Sequence, residues 1–501
     1  MKSVRFLHLP LAALLFTFCL HAWGAGVTII THGLEIQSGN PTWVVDMAQA
    51  IAARTGPATA ILKMQVGIQS NGSLGVTSFT LQSGNLPTPT STNAEVVIEL
   101  FWDTVAGPFD SQNATDIANQ VVPYLLFSLN WGGQTITRPF AELPVHVIGH
   151  SRGGSVVAEI SRLLAAQGVW VDDVTTLDPH PLTSADPLTV ARDPAVLIYD
   201  NVVFADNYYE VESYPSGEHI DGTSETYLNS RFGSDGLSDS GDEDHTEVHD
   251  WYHGTIDTNA TTVDGRPIPR NAWYVPSDQG FQYSLVGGGT YNGGTRASNT
   301  NGLRITGAIR TFVTRTATGS NLWDNIAFAG WATNAIIVQG EQLVVNAFYD
   351  DVNRDATVRI GLDADATPYD GITAPLYSAQ TSSLTGTNIQ LAFDTSGVPA
   401  GTYFLCAGIS NAVHARWSVS RGRITVLQHV GALLQLARGI GNGVTLNLSG
   451  QVGGTYVIQV SSNLVNWLPL ATNVLTNQVW QFSDTPQPGT VRRFYRGVLV
   501  N

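Results

Sequence analysis

The feature that most constrains this chain is the run Gly149-His150-Ser151-Arg152-Gly153-Gly154. Before it, Val145-His146-Val147-Ile148 has the length and branching of a buried strand. After it, Val156, Val157, Ile160, Leu163 and Leu164 repeat at helical spacing until Gly168 supplies a stop. A chain that leaves a strand and enters a helix within one residue strains the backbone of the turning residue, and only small neighbours fit around it. Gly149 and Gly153 meet that demand. The run therefore has the form of a nucleophile elbow. In such a turn the Ser151 hydroxyl stands above a sheet edge, and the following helix N-terminus favours negative charge on an attacked carbonyl.

Lys2 and Arg5 precede an apolar run from Leu7 to Leu20, and Ala22-Trp23-Gly24 offers the small residues a signal peptidase needs, so residues 1–24 read as a secretory signal peptide. That run is short for a membrane span, and no later stretch approaches the ~20 apolar residues that one requires. Cys19 follows Phe18 where a lipoprotein signal would place a small residue, which argues against lipid anchoring. Cys406 is then the one cysteine left, so an intramolecular disulfide is excluded and stability must come from burial. With 41 acidic against 24 basic residues, a net charge of -17 excludes nucleic acid and anionic membrane surfaces as main partners. The length leaves room for two or three cores.

The exported chain opens on Val27-Thr28-Ile29-Ile30, a strand, followed by Thr31-His32-Gly33-Leu34 and a helix beginning at Asn40-Pro41. A glycine-containing turn between strand and helix lets a backbone N–H point into a neighbouring site. Hairpin strands are expected at Ile61–Ile68 and Leu74–Leu81 around Asn71-Gly72, a buried strand over Glu95–Trp102, and a helix over Asp116–Leu129. Strands alternating with helices predict an α/β class with a mostly parallel sheet covered by helices on both faces. Beyond the Ser151 helix, the strand Val174–Leu177 ends at Asp178-Pro179, and the next, near Val202–Phe204, ends at Asp206. Either carboxylate is placed to orient a histidine. After a polar, acidic stretch from Ser213 to Asp244, His245, His249 and His253 follow at helical spacing. His245 comes first and is the one a loop would deliver to a sheet edge. The three as a zinc set are disfavoured, because three helical turns spread them over ~12 Å.

The order Ser151, Asp178, His245 is that of α/β-hydrolases, and the region from Val27 to about Ile256 resembles the pancreatic-type lipases and their bacterial relatives. The resemblance rests on Thr31-His32-Gly33, Gly149-His150-Ser151-Arg152-Gly153, Leu177-Asp178-Pro179 and the position of His245. It implies an α/β-hydrolase fold, a Ser151–Asp178–His245 triad, and an oxyanion hole made by the backbone N–H groups of Leu34 and Arg152. It favours Asp178 over Asp206 and His245 over His249. It implies no cofactor and no metal, with an ester or lipid as substrate. The disulfide-closed lid of that family has no counterpart here.

A Gly/Asn/Thr/Ser tract, Gly287–Gly302, marks a linker. The expected division is a hydrolase domain at 25–284, a linker at 285–302, an immunoglobulin-like β-sandwich at 303–430 and a small β-module at 431–501. The last segment resembles the C-terminal β-modules of large secreted bacterial proteins and ends in Phe494-Tyr495-Arg496. Asp350, Asp351, Asn353 and Asp355, with Asp363 and Asp365, are acceptors with calcium-ligand character, although charged turns carry the same residues. Two functions follow. One is a secreted carboxylic ester hydrolase, lipase or esterase, whose β-domains place it on a polymer or cell surface. The other is a non-catalytic adhesive protein built on an inactive hydrolase scaffold. Amide or thioester hydrolysis uses the same parts as ester hydrolysis.

Overall fold

The computed structural model describes residues 26–500 apart from 36–38, 56–58, 87–94, 132–133, 137, 212–213, 229–241, 258, 264–265, 268–279, 282–309, 319–321, 329–334, 365–370, 382–386, 429–431, 439–442, 478 and 490–491. The signal peptide, the 285–302 linker, residues 229–241 of the acidic loop and Asp365 lie outside the described residues.

An eight-stranded sheet organises the first half. Its strands are β1 (Val27–Thr31), β2 (Ala60–Ile68), β3 (Leu74–Ser83), β4 (Val96–Phe101), β5 (Val145–His150), β6 (Val171–Leu177), β7 (Val202–Tyr209) and β8 (Ser224–Tyr227). They lie in the order β8-β7-β6-β5-β1-β4-β2-β3, with β3 antiparallel to β2 and the other neighbours parallel. Helices α1 (Thr42–Thr55), α2 (Ala114–Leu126), α3 (Gly153–Ala166) and α4 (Asp242–Ile256) complete the region. Successive strand residues point to opposite faces, and β1 divides its side chains accordingly. Val27 and Ile29 enter one apolar cluster with Ile117, Val121 and Leu125 of α2 and Ile160 and Leu164 of α3. Ile30 enters another with Trp43, Val44 and Met47 of α1 and Val248, Trp251 and Tyr252 of α4. Each large side chain so buried contributes roughly 1.5–3 kcal/mol. Asn113 opens α2 with a capping box to Asp116.

The expected α/β-hydrolase class does not describe this chain and is corrected. Among the described residues, twenty-six strands in seven separate sheets stand against four α-helices, so the class is mostly β. From Asn325 onward every described regular element is a strand. The physical reason is that helical periodicity is a local signal that dominates a short window, whereas strands draw their stability from remote partners. Two- and three-residue strands such as Leu129–Trp131 with Gln134–Ile136, or Thr262–Val263 with Arg266–Pro267, have no pattern of their own.

The protein is β-rich and multidomain, with two compact units: Met1–Ala335 with Val344–Leu391 and Thr402–Ile424, and Ile336–Leu343 with Ala392–Gly401 and Thr425–Asn501. In the first unit, strand Thr357–Asp363 pairs antiparallel with Ala374–Gln380 on one side and with the Phe404–Ser410 segment on the other. Arg416 joins this β region to the large sheet. Its guanidinium is buried and donates to Asn325 Oδ1 at 3.0 Å, Ala141 O at 2.9 Å, Asp172 Oδ2 at 3.0 Å and the carbonyls of Leu143 and Trp170. The Trp170 ring also stacks on Phe348 with centroids 5.2 Å apart. In the second unit, two three-stranded sheets, Leu433–Arg438/Val444–Ser449/Val479–Asp484 and Leu468–Val474/Thr455–Ser461/Phe494–Val500, close over Leu446, Leu448, Tyr456, Ile458 and Leu475. This is a small sandwich.

Candidate active site

Strand register brings the singled-out residues to one edge of the sheet. Thr31 of β1 lies beside Gly149 of β5, and Gly149 beside Thr176 of β6. The three strands therefore end level, and the residues that follow, His32-Gly33, Ser151 and Asp178, share the carboxyl edge where parallel sheets carry their sites. Ser151 sits between β5 and α3 in the left-handed region, φ 56°, and Asp178 also turns left-handed, φ 46°. Such angles cost of order 1–3 kcal/mol each and persist where the surroundings enforce them. Here the Ser151 N–H donates to Leu177 O at 3.0 Å, and the Asp178 N–H to Tyr208 O at 2.7 Å. At Gly149 a Cβ would fall 2.1 Å from Gly153 O, so the turn closes only on glycine.

Asp178 is fully buried. Its Oδ2 accepts a hydrogen bond from His245 Nδ1, and its Oδ1 accepts the Glu210 N–H at 2.8 Å. Burial pushes the Asp178 carboxyl well up, against the pull of the Glu210 and Gly217 backbone donors. With its Nδ1–H given to Asp178, His245 keeps its other ring nitrogen as the acceptor. His150 fixes the first turn of α4: its Nε2–H donates to the His245 carbonyl at 2.9 Å. Burial, then the nearby His245 and His249 rings, hold His150 well below the usual histidine value, so it serves as a neutral donor. His249 stacks on Trp43 at 4.4 Å.

The turn after β1 presses on the serine. A Cβ at Gly33 would lie 2.5 Å from Ser151 Cβ and 3.0 Å from Arg152 N, so only glycine lets the His32-Gly33-Leu34 backbone approach this closely. His32 Nδ1–H donates to Gly33 O at 3.0 Å, and Nε2 accepts the Trp102 N–H at 3.1 Å, a pairing available only to the neutral ring. Burial lowers its pKa to about 4. Arg152, which follows the serine, is wholly buried and lies over the Trp102 ring at 4.8 Å. Its Nε and Nη2 meet Asp193 at 2.8 and 3.1 Å, and it donates to the carbonyls of Ala106 at 3.1 Å and Gln112 at 3.0 Å.

The structure thus joins His245 to Asp178 and ties Ser151, through its N–H, to the end of the strand that carries Asp178, with Leu34 and Arg152 following the two turns. Asp206 goes elsewhere: it accepts from Thr175 Oγ1 at 2.6 Å and the Tyr208 hydroxyl at 2.8 Å. Among the described residues, the groups gathered closely enough to share an ion are Asp324, Asp351 and Asp355 rather than the α4 histidines. Asp351 and Asp355 belong to the acidic run singled out in the sequence, and Asp324 does not. Asp193, Trp102 and the His150 bridge are also additions of the structure. Asp193 lies in coil without periodicity, and nothing local marks it.

No family model and no curated protein matches this chain. Solved structures that it is similar to include titin domains A168–A170, at 15% identity and TM-score 0.19, covering 34% of this chain and 56% of that one. The human OSCAR ligand-binding domain is another, at 17% identity and TM-score 0.17, covering 33% and 89%.

Proposed function

We propose that the protein is a secreted serine hydrolase that cleaves carboxylic esters, with Ser151 as nucleophile, His245 as general base and Asp178 as the acid that orients it. The observation that carries this reading is the buried Asp178–His245 hydrogen bond beside a serine held in a left-handed turn. His245 takes the Ser151 proton as the hydroxyl attacks the ester carbonyl, and then gives it to the departing alcohol; water releases the acyl group by the same steps reversed. The backbone N–H groups of Leu34 and Arg152 receive the oxyanion. The close approach of Gly33 to Ser151 and Arg152 N supports that role for the two turns. The helix α3 N-terminus adds its positive end. Secretion rests on the Lys2/Arg5 and Leu7–Leu20 pattern.

The test is hydrolysis of p-nitrophenyl esters from acetate to palmitate by the full chain. Ser151→Ala and His245→Gln are expected to lose about 10⁶-fold in kcat, and Asp178→Asn about 10⁴-fold. Asp206→Asn is expected to retain turnover. The chain-length optimum separates esterase from lipase. If the folded wild type turns over no ester and Ser151 takes no fluorophosphonate label, the proposal is wrong.

A further inference from the structure

The antiparallel register of strands Asn325–Phe328 and Gln342–Asp350 pairs Asn325 with Asp350. One residue beyond that pair, Asp324 and Asp351 leave the sheet side by side. Asp351 then opens the sequence Asp351-Val352-Asn353-Arg354-Asp355. Acidic or amide side chains at every second residue, D-x-N-x-D, are how a short turn directs several oxygens at one point. Ligand oxygens of Asp324, Asp351 and Asp355 all lie within 4.8 Å of one another.

Clustered carboxylates alone are common in turns. What sets this cluster apart is Asp324. The residue is only 3% exposed, and its Oδ1 is buried with no hydrogen-bond partner. A buried carboxylate oxygen left without a donor carries a desolvation cost on the order of 1–3 kcal/mol or above. Its other oxygen accepts the Asn411 amide at 2.8 Å, and the same amide nitrogen lies 3.3 Å from Asp355 Oδ1. Asn411 therefore bridges two of the three carboxylates with a neutral group. Asp351 is held by the Arg354 N–H at 2.7 Å, the Ala356 N–H at 3.3 Å and the Thr381 hydroxyl. Two members of the set are buried and fixed, and Asp355 is exposed, which leaves a route in from solvent.

We infer that Asp324, Asp351 and Asp355 form a calcium site that pins the turn after strand Gln342–Asp350 to the residue preceding strand Asn325–Phe328. All three donors are hard oxygens, the chemistry of calcium and magnesium rather than of zinc. Calcium–oxygen distances of about 2.3–2.6 Å allow two ligands up to about 5 Å apart across the ion, which covers the 4.8 Å bound on each pair here. Magnesium, at about 2.0–2.1 Å and octahedral, would require contraction of any pair near the upper limit.

Calorimetric titration of the full chain with calcium chloride tests this, alongside thermal melting in 10 mM calcium or in chelator. The wild type is expected to bind one ion with a Kd near 10⁻⁴ M or tighter, and to melt about 5 °C higher with calcium. Asp355→Asn, at an exposed position, should fold normally and bind at least tenfold more weakly. Asp324→Asn should abolish the calcium response while melting in chelator at or above the wild-type temperature, because it removes a buried carboxyl oxygen that has no donor. Failure of wild type to bind, unchanged affinity in Asp355→Asn, or an equal response to magnesium would each overturn the assignment.

Discussion

Replacing Asp193 by asparagine tests how the turn at Ser151 is held. Asp193 and Arg152 are both wholly buried. The carboxylate accepts four hydrogen bonds: two from Arg152, and one each from the Ala114 and Leu182 N–H groups at 3.0 Å. Each oxygen serves one guanidinium nitrogen and one backbone donor. An asparagine in either flip therefore faces its own NH₂ toward two donors and also removes the countercharge of a guanidinium that cannot deprotonate. Breaking a buried pair from one side costs about 3–5 kcal/mol, a large part of the ~5–15 kcal/mol of a typical domain. Urea unfolding should show that loss, and amide exchange at Ala114 and Leu182 should accelerate with it. In a cycle with Arg152→Met, the double variant should fall short of the sum of the singles by about 2 kcal/mol. Because the Arg152 N–H is the proposed oxyanion donor, kcat should fall as well. A loss below about 1 kcal/mol, with unchanged exchange at both amides, would refute the account of Asp193 as the countercharge that holds this turn.

Three further outcomes follow. His32 is protonated at about 4 in the folded protein against 6.5 when unfolded, so its contribution is full above pH 6.5 and is lost as pH falls toward 4, by about 3 kcal/mol. Glu35 and Glu99, both raised to about 7 chiefly by burial, slope the other way between 4.5 and 7. The difference between acid-unfolding curves of wild type and His32→Gln isolates the histidine, and parallel curves would count against it. Gly33→Ala should lower kcat by about 10²-fold or more through displacement of the Ser151 and Arg152 backbone, measured on the best p-nitrophenyl ester. Arg416→Met, which strips donors from four buried acceptors or more, should cost about 3–5 kcal/mol in urea unfolding.

Short, self-sufficient signals were readable in the sequence. The run expected at Val145–Ile148 is the core of β5, the periodicity after Gly153 is α3, and the hairpin around Asn71-Gly72 joins β2 to β3. These depend on neighbours a few residues away. The class of the whole chain was not readable in the same way. It is decided by strand pairings between remote segments, and four helices in the first half outweigh their real share in any windowed view. The site shows the same divide. Ser151, Asp178 and His245 announce themselves through local patterns, but Asp193, Trp102 and Asp324 act on residues 41, 70 and 27 positions away, and their own surroundings carry no sign of it. A guanidinium as buried as Arg152 implies a partner, and the search for one is the signal that would have found Asp193.

Arg416 has a consequence for how this protein can be divided. Composition changes near residue 302, and a worker seeking the Ser151 region alone would cut there. That cut would strip the carbonyls of Ala141, Leu143 and Trp170, and the carboxylate of Asp172, of the guanidinium that serves them. It would also uncover Trp170 where Phe348 now covers it. A truncated fragment would carry an exposed apolar seam and a row of unanswered acceptors, and should come out of expression as aggregate. A boundary drawn beyond strand Ala415–Leu427, which carries Arg416, keeps the stitch in place, and is where a minimal soluble fragment should begin to be sought.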